Sequence, residues 1–426
     1  RFDTLACLVA AWLARNQKPL IFYCCTMKLN TRNEMTELLT LFLLLLQCNL
    51  RASAFSLKSP PSSTTTSSKP QLEQIKSAPA FSKPASKQKS FLQRVDQFLT
   101  KLQNPKEQRN GYLYLQGNYA PVSQEHTNVP VEVVSGKIPP GLDGIFIRNG
   151  PNPDVTLSNQ KNYHWFDGAA MLHSLRLRNG QAFYTNQFVP SARHTIEKEL
   201  GAEYFTTLGE FKGLPGLVKA ILSYALAREY ISDLNTVAPP NTACLMYNDK
   251  FYCLNEGNIP FECKLLPDGR LEPVGYETFD GTLDFPISAH PRIDQKGDLL
   301  FHSYTINKEI IEEQGTMKVG RYCSDQQKVV SYFVPTEEKG YTSFAHNLVF
   351  TDNYSIVWDC SVHFDVRAMF DEGSFFRATP DHNLRFGIVP KSATSREETV
   401  WIDTGGPGAL VHPLNSWEDD DENIVI

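Results

Sequence analysis

From Gly111 onward, short apolar runs alternate with polar turns, a rhythm that suits antiparallel strands better than helices. MLHSLRLRNGQAFYTNQFV places two such runs around Asn179-Gly180. ACLMYNDKFYCL turns at Asn248-Asp249, and FECKLLPDGRLEPVGYETF turns at Pro267-Asp268-Gly269. Asn, Asp and Gly tolerate the positive φ of tight turns, so each segment is predicted to be a hairpin. SAHPRIDQKGDLLFHSY and FAHNLVFTDNYSIVWDC then repeat one layout: a histidine, a short extended stretch, an Asp/Asn/Gly turn and a new apolar strand. Repeated short strands at regular spacing predict an all-β fold with radially arranged sheets, a β-propeller more than a sandwich.

Two stretches break that rhythm. Residues 91–110 carry apolar side chains at Phe91, Leu92, Val95, Phe98, Leu99 and Leu102, the spacing of a short amphipathic helix. Leu214, Leu217, Val218, Ile221, Leu222, Ala225 and Leu226 form a second helical stripe, with Lys219 and Arg228 expected on the other side. This helix either packs over one end of the sheets or dips into a membrane that holds an apolar substrate.

The N-terminal region has a different character. Residues 1–26 open on Arg1 and are read as an over-extended or non-native leader. From Met27, Lys28 and Arg32 precede the apolar run Leu38–Leu46, which is short for a bilayer span but suits a signal-peptide core. Ala52-Ser53-Ala54 and Phe55 follow. Residues 56–90 are then rich in Ser, Thr, Pro and Lys, with Glu73 as the one acidic residue. Residues 27–90 are therefore expected to be a targeting segment and linker, and 111–426 the β domain. The combination resembles the two-part leader of proteins sent to plastids of secondary-endosymbiotic algae; a plant-type plastid address and a secreted protein with a disordered linker are the alternatives. At the other end, ENIVI stops on an apolar run without a turn. A strand there needs a partner, so the last strands are expected to lie beyond Ile426.

Net charge is −6 and the Lys and Arg residues are scattered, which excludes the clustered basic face that nucleic-acid binding requires. Of nine cysteines, Cys7, Cys24, Cys25 and Cys48 fall in the leader region. Cys244, Cys253, Cys263, Cys323 and Cys360 are odd in number and lack a C-x-x-C spacing. That argues against a disulfide framework or a thiolate zinc site and for a reducing compartment.

Candidate chemistry rests on His290, His346 and His412, each expected at the start of a strand. Two histidines placed alike on two hairpins converge if the hairpins share an axis, and a third arrives in ALVHPLNSWED. Neutral imidazoles meeting at one point are what a divalent transition metal needs. Taken singly, each is equally readable as a core histidine. His126, His164, His173, His194, His302, His363 and His382 match no such layout and read as surface or core residues. The acidic run Glu418 to Glu422 reads as a solvated loop rather than a calcium site.

Several motifs in order, IPPGLDGIFIRNGPNP (residues 138–153), YHWFDGAAMLHSLRL, LNEGNIPFE, AHPRID, AHNLVFTDNY and VHPLNSWED, resemble those of the carotenoid cleavage oxygenases. The resemblance covers about residues 111–426. It implies a seven-bladed β-propeller, incomplete in this chain, with a few capping or membrane-facing helices. It implies Fe2+ held on the axis by four histidines, and O2-dependent splitting of a double bond in a carotenoid or apocarotenoid, with peripheral membrane contact. By motif, His290, His346 and His412 are implied as iron ligands, with the fourth beyond Ile426, and Glu256 as the carboxylate that orients a ligand imidazole. Asn347 stands where many members have Asp.

The implied chemistry agrees with the residue types. Iron held by neutral imidazoles alone keeps its double charge and leaves positions open for O2. A carboxylate behind a ligand accepts the far ring N–H, which fixes the ring and raises its basicity. Glu256 precedes a Gly-Asn-Ile-Pro turn at the end of a strand, which suits that role. A long apolar substrate needs an aromatic-lined tunnel, which 26 Phe and 17 Tyr permit but do not locate. The competing readings are a non-catalytic apocarotenoid-binding propeller and a related carotenoid isomerase. A metal-dependent propeller hydrolase is disfavoured, since no Asp/Glu/Asn ligand set accompanies the histidines.

Overall fold

Turn chemistry sets the strand boundaries. Asn179 and Gly180 have φ of 52° and 75°, Asn248 and Asp249 have 49° and 58°, and Gly269 has 84°. All three predicted hairpins form around these residues. The computed structural model describes residues 94, 98–103, 110–157, 159–231, 233–305, 316–334, 342–365 and 367–426, all within the unit Ser68–Ile426. The expected segments 1–26 and 27–90 lie outside the described residues, as do Phe91, Leu92 and Val95 of the first expected helix.

The strands form separate antiparallel sheets. The first contains β1 (His126–Val131), β2 (Gly144–Asn152), β3 (Ala169–Arg178) and β4 (Gln181–Phe188), in the order β1-β4-β3-β2. Two helices follow, α1 (Ala192–Leu200) and α2 (Gly213–Tyr230). A second sheet runs in sequence order through β5 (Ala243–Tyr247), β6 (Lys250–Leu254), β7 (Phe261–Leu265) and β8 (Leu271–Tyr276). The third holds β9 (Arg292–Ile293), β10 (Leu299–Tyr304), β11 (Met317–Cys323) and β12 (Lys328–Val334), ordered β12-β11-β10-β9. Beyond it come β13 (Thr342–Ser343), β14 (Val349–Phe350), β15 (Tyr354–Asp359), β16 (Val362–Phe364), the short helix α3 (Ala368–Asp371), β17 (Phe376–Ala378), β18 (Asn383–Pro390) and β19 (Val400–Pro407). They pair as β13-β16-β17 and β14-β15-β18-β19, and β20 (Trp417–Glu418) pairs with β21 (Ile424–Val425). The fold is thus mostly β with few helices, as the strand pattern predicts.

Side-chain alternation explains how these sheets pack. Successive residues of a strand point to opposite faces. In β6, Phe251 and Cys253 join Ala170 and Leu172 of β3, while Tyr252 and Leu254 join Leu299 and Phe301 of β10. In β10, Leu300 points the other way, into a cluster with Val357 and Trp358 of β15. Consecutive sheets are therefore stacked face against face, and the inner strands bury both faces. Each fully buried Leu or Phe contributes roughly 1.5–3 kcal/mol to that stacking.

The helices differ in part from their expected faces. Helix α1 begins at Ser191, whose side chain accepts the His194 N–H, and ends at Gly201 in the left-handed region. In α2 the most buried positions include Gly216, Lys219, Ser223 and Ala227, whereas Leu214, Leu217, Val218, Ile221 and Leu222 are half-buried. Lys219 was expected on the polar side, yet it is buried and its ammonium meets the buried Glu210 carboxylate at 2.5 Å. The ion pair overrides the simple amphipathic pattern. Gly216 belongs to the buried face because a Cβ there would come within 2.3 Å of the Glu210 carbonyl oxygen. Near the N-terminus of the described region, Leu99 is buried while Phe98 and Leu102 are about 40% exposed, so the expected apolar stripe is only partly used. No helix among the described residues is long and apolar enough to cross a membrane.

His302 on β10 is fully buried, and its ring Nε2 donates to the Ala345 carbonyl oxygen. Burial pushes its pKa down from 6.5 to about 4, partly opposed by the Ala345 bond. The unfolded chain therefore binds more protons than the folded one between pH 4 and 6.5, so stability is full above pH 6.5 and falls as the pH drops through that window. The shift corresponds to about 3 kcal/mol. Chemical denaturation of the metal-free protein at pH 7 and pH 4.5 is expected to show this loss. His290, His412 and His173 act in the same direction and the raised Asp167 and Glu203 oppose them, so His302→Gln, which keeps an N–H for Ala345, is expected to make the pH dependence shallower than in wild type. An unchanged profile in that variant would assign the dependence to other groups.

Candidate metal centre

The three histidines lie on loops shortly before short strands rather than within strands. His290 precedes β9, His346 lies between β13 and β14, and His412 precedes β20. Loops need pinning if they are to place side chains reproducibly, and the structure supplies it from β10. The His302 backbone carbonyl accepts the Ser288 N–H at 2.8 Å, two residues before His290. Its ring meanwhile holds the carbonyl of Ala345, the residue before His346. One buried residue thus fixes two of the three loops.

The imidazoles converge. Ring centroids of His290 and His346 are 4.6 Å apart, those of His290 and His412 4.8 Å, and those of His346 and His412 4.7 Å. The rings stand nearly edge to face, and one nitrogen from each lies within 4.8 Å of the others. His290 Nε2 and His346 Nε2 are 3.0 Å apart. This is the one group of three or more such side chains with metal-ligand spacing among the described residues. The acidic run from Glu418 forms no such group: Glu418 accepts hydrogen bonds from Asn353 and Asp419 closes a turn with Asn423.

Glu256 sits behind the cluster. Its Oε1 meets the Nδ1 of His346, so the proton of that ring belongs on Nδ1 and Nε2 is left with its lone pair. The turn that carries Glu256 is held from several sides. Gly257 N–H donates to the Asn255 side chain, Asn255 donates to Asn241 and Thr242, and the buried Asn258 donates to the Ala238 carbonyl. The sequence-predicted set of Glu256, His290, His346 and His412 is therefore brought together in space.

Electrostatics favour neutral ligands. Burial, with the neighbouring His346, pushes the pKa of His290 down to about 4. Burial and His346 also lower that of His412. Imidazoles that stay neutral at physiological pH present lone pairs rather than charges, which fits a divalent cation. The donor set is wholly nitrogen, and the Nε2 atoms of His290 and His346 face each other across a single 3.0 Å hydrogen bond.

Three features of the site were not anticipated from sequence. His302, which the sequence leaves as a surface or core residue, is the buried anchor of the His290 and His346 loops. Asn347 is buried and its side-chain nitrogen lies 3.0 Å from His412 Nδ1. Phe344 stacks on His346 at 5.9 Å with an interplanar angle of 17°. From Phe344 a run of half-buried rings continues through Phe364 and Phe376 to Phe375 and Phe211, with Tyr304 beside Phe364. Aromatic residues two apart from a candidate ligand, as in Phe344-Ala345-His346, were the available signal. The five cysteines of the domain are free thiols.

Known proteins share this arrangement of sequence and fold. Residues 119–426 match the family described as retinal pigment epithelial membrane protein. The carotenoid 9,10(9',10')-cleavage dioxygenase 1 of Pisum sativum is 30% identical over 322 residues, covering 74% of this chain and 56% of that protein. A probable carotenoid cleavage dioxygenase of Arabidopsis thaliana, named chloroplastic, is 27% identical over 73% of this chain and 52% of its own length. The chain thus spans about half the length of these curated relatives. Among solved structures, the cobalt-substituted apocarotenoid oxygenase of Synechocystis matches with a TM-score of 0.55 at 24% identity, covering 74% of this chain and 63% of that one. The lignostilbene dioxygenase of Pseudomonas brassicacearum matches with a TM-score of 0.54 at 20% identity, over 68% of this chain and 55% of that one. These likenesses concern the fold. With its family match covering most of the sequence, and its ordered motifs on the matching region, the chain belongs to the retinal pigment epithelial membrane protein family, the carotenoid cleavage oxygenases.

Proposed function

We propose that this protein is a non-haem Fe(II) dioxygenase that cleaves a conjugated double bond of a carotenoid or apocarotenoid with O2. The observation that carries the reading is the convergence of His290, His346 and His412 with Glu256 behind His346. The reaction balances without a further reductant: one C=C bond and one O2 are consumed, and two C=O groups form as aldehyde or ketone fragments. A bound iron would supply a site for O2 activation. His290, His346 and His412 would hold it as neutral donors. Glu256 keeps the proton of His346 on Nδ1 and so aims its Nε2 lone pair inward. The half-buried rings that begin at Phe344 offer an apolar surface beside the histidines, suited to a polyene that has few polar groups to satisfy.

The wider expectations belong to the same proposal. The stacked antiparallel sheets are read as blades of a seven-bladed propeller, with residues 111–426 as the part of that domain present. A fourth histidine is expected from the family resemblance. The half-buried Leu/Ile face of α2 is read as a peripheral membrane contact, where an apolar substrate would be collected. Residues 27–90 are read as a plastid-targeting segment, supported by relatives that are named chloroplastic.

His290→Ala is expected to abolish both iron retention and O2-dependent bleaching of a carotenoid, followed by absorbance and by metal analysis of the purified full chain. Undiminished bleaching would overturn the proposal, and pigment binding without cleavage products would identify a binding protein instead. Glu256→Gln preserves size but removes the charge behind His346. It is expected to weaken metal binding by about 10-fold or more, measured by competition with a chelator of known affinity. Unchanged affinity would mean that the carboxylate serves only the turn.

A further inference from the structure

Of the six side chains in the aromatic run beside the histidines, Tyr304 alone carries a hydroxyl. It follows His302 by two residues on β10, so both side chains point to the same face of the third sheet. Its ring is 5.3 Å from that of Phe364, which is 5.7 Å from Phe344, the ring stacked on His346. Tyr304 is half-buried, and its hydroxyl makes no hydrogen bond among the described residues. By contrast, the hydroxyls of Tyr163, Tyr247, Tyr252 and Tyr276 all donate to acceptors within the protein. Burial, with the Glu256 carboxylate adding to it, pushes the Tyr304 pKa well above its ordinary value, so the phenol keeps its proton and can donate.

A tyrosine packed against apolar groups ordinarily finds a partner for its hydroxyl. Phe344, Phe364 and Phe376 carry no polar side-chain atom, and a water beside them would lack the two or more partners that hold a water in place. We infer that Tyr304 is a specificity-determining residue whose hydroxyl donates to a carbonyl or hydroxyl oxygen on the stretch of substrate lying against Phe344 and Phe364. The inference rests on the dioxygenase reading above and narrows its substrate class to an oxygen-bearing polyene. A hydrocarbon in the same place leaves the phenol without an acceptor, whereas an oxygenated chain satisfies it. Tying that oxygen also limits how far the chain slides, and so helps to set which double bond faces the histidines.

The test uses the full chain and a series of all-trans apocarotenals and apocarotenols of increasing length. Each is paired with the hydrocarbon that carries a methyl group in place of the oxygenated end. Wild type is expected to favour at least one oxygenated member over its hydrocarbon by about 10-fold in kcat/KM, the worth of one hydrogen bond. Tyr304→Phe keeps the ring against Phe364 and is expected to bring that ratio close to one. A purely structural role would lower both rates together and leave the ratio standing, which overturns the inference, as does a wild type without preference in any pair. Binding of the same pairs with O2 excluded, followed by quenching of protein fluorescence, is expected to show the same preference and the same loss in Tyr304→Phe. If wild type cleaves no member of the series, the dioxygenase reading fails, and the binding ratio still decides the role of Tyr304.

Discussion

A fully buried histidine is tolerable only while it stays neutral and keeps a hydrogen-bond partner, and His302 meets both conditions through Ala345. That single bond ties β10 to the loop carrying His346. The carbonyl of the same residue ties β10 to the loop carrying His290 through Ser288. The candidate centre therefore depends on one rigid strand whose neighbours on both faces hold it in place. Leu299 and Phe301 pack toward the second sheet and Leu300 toward the β14–β19 sheet, so β10 cannot shift without opening two cores. The position of two ligands is inherited from that packing rather than from their own loops.

The three imidazoles are also unequal in what stands behind them. A carboxylate meets the far side of His346, an amide that of His412, and His290 is the ligand whose pKa burial lowers to about 4. A carboxylate partner raises the donor strength of its ring, and a neutral partner does not. The two Nε2 atoms lie 3.0 Å apart, and that of His346 keeps its lone pair because Glu256 holds the ring proton on Nδ1, so neutral His290 donates its Nε2–H to it in the metal-free protein.

Much of this was legible in the sequence where local rules decide. Hairpins at Asn179-Gly180 and Asn248-Asp249 follow from backbone preferences that need no tertiary partner. The histidine layouts were legible because they repeat, and the motif resemblance linked Glu256 to them. What was not legible depends on contacts far apart in sequence. Lys219 fits the polar side of a helical stripe, but Glu210 draws it into the interior. His302 sits in an apolar strand where alternation says only that it is inside, and not that Ala345 is its acceptor 43 residues away. Asn347 could be seen to differ from the common residue, but not that its side chain meets His412, 65 residues later.

The common thread of these omissions is that the site is assembled from turns, and a turn's own sequence specifies its bend but not its anchorage. The turn at Glu256 is held by Asn255 and Asn258, which reach Asn241, Thr242 and Ala238 on the preceding segment. The His346 loop is held by His302, and His412 by Asn347. Each anchor is a polar side chain aimed across the structure at a backbone carbonyl, a ring or another polar side chain, with three of them (Asn258, His302 and Asn347) buried. Such bonds contribute little net stability while formed, yet leaving either partner unsatisfied in the interior costs about 1–3 kcal/mol. That asymmetry resists small displacements of the loops more strongly than apolar packing would, since apolar contacts have no preferred direction. Placing directional ties around the histidines, and non-directional packing farther out between the sheets, gives the loops the precision that metal ligation demands.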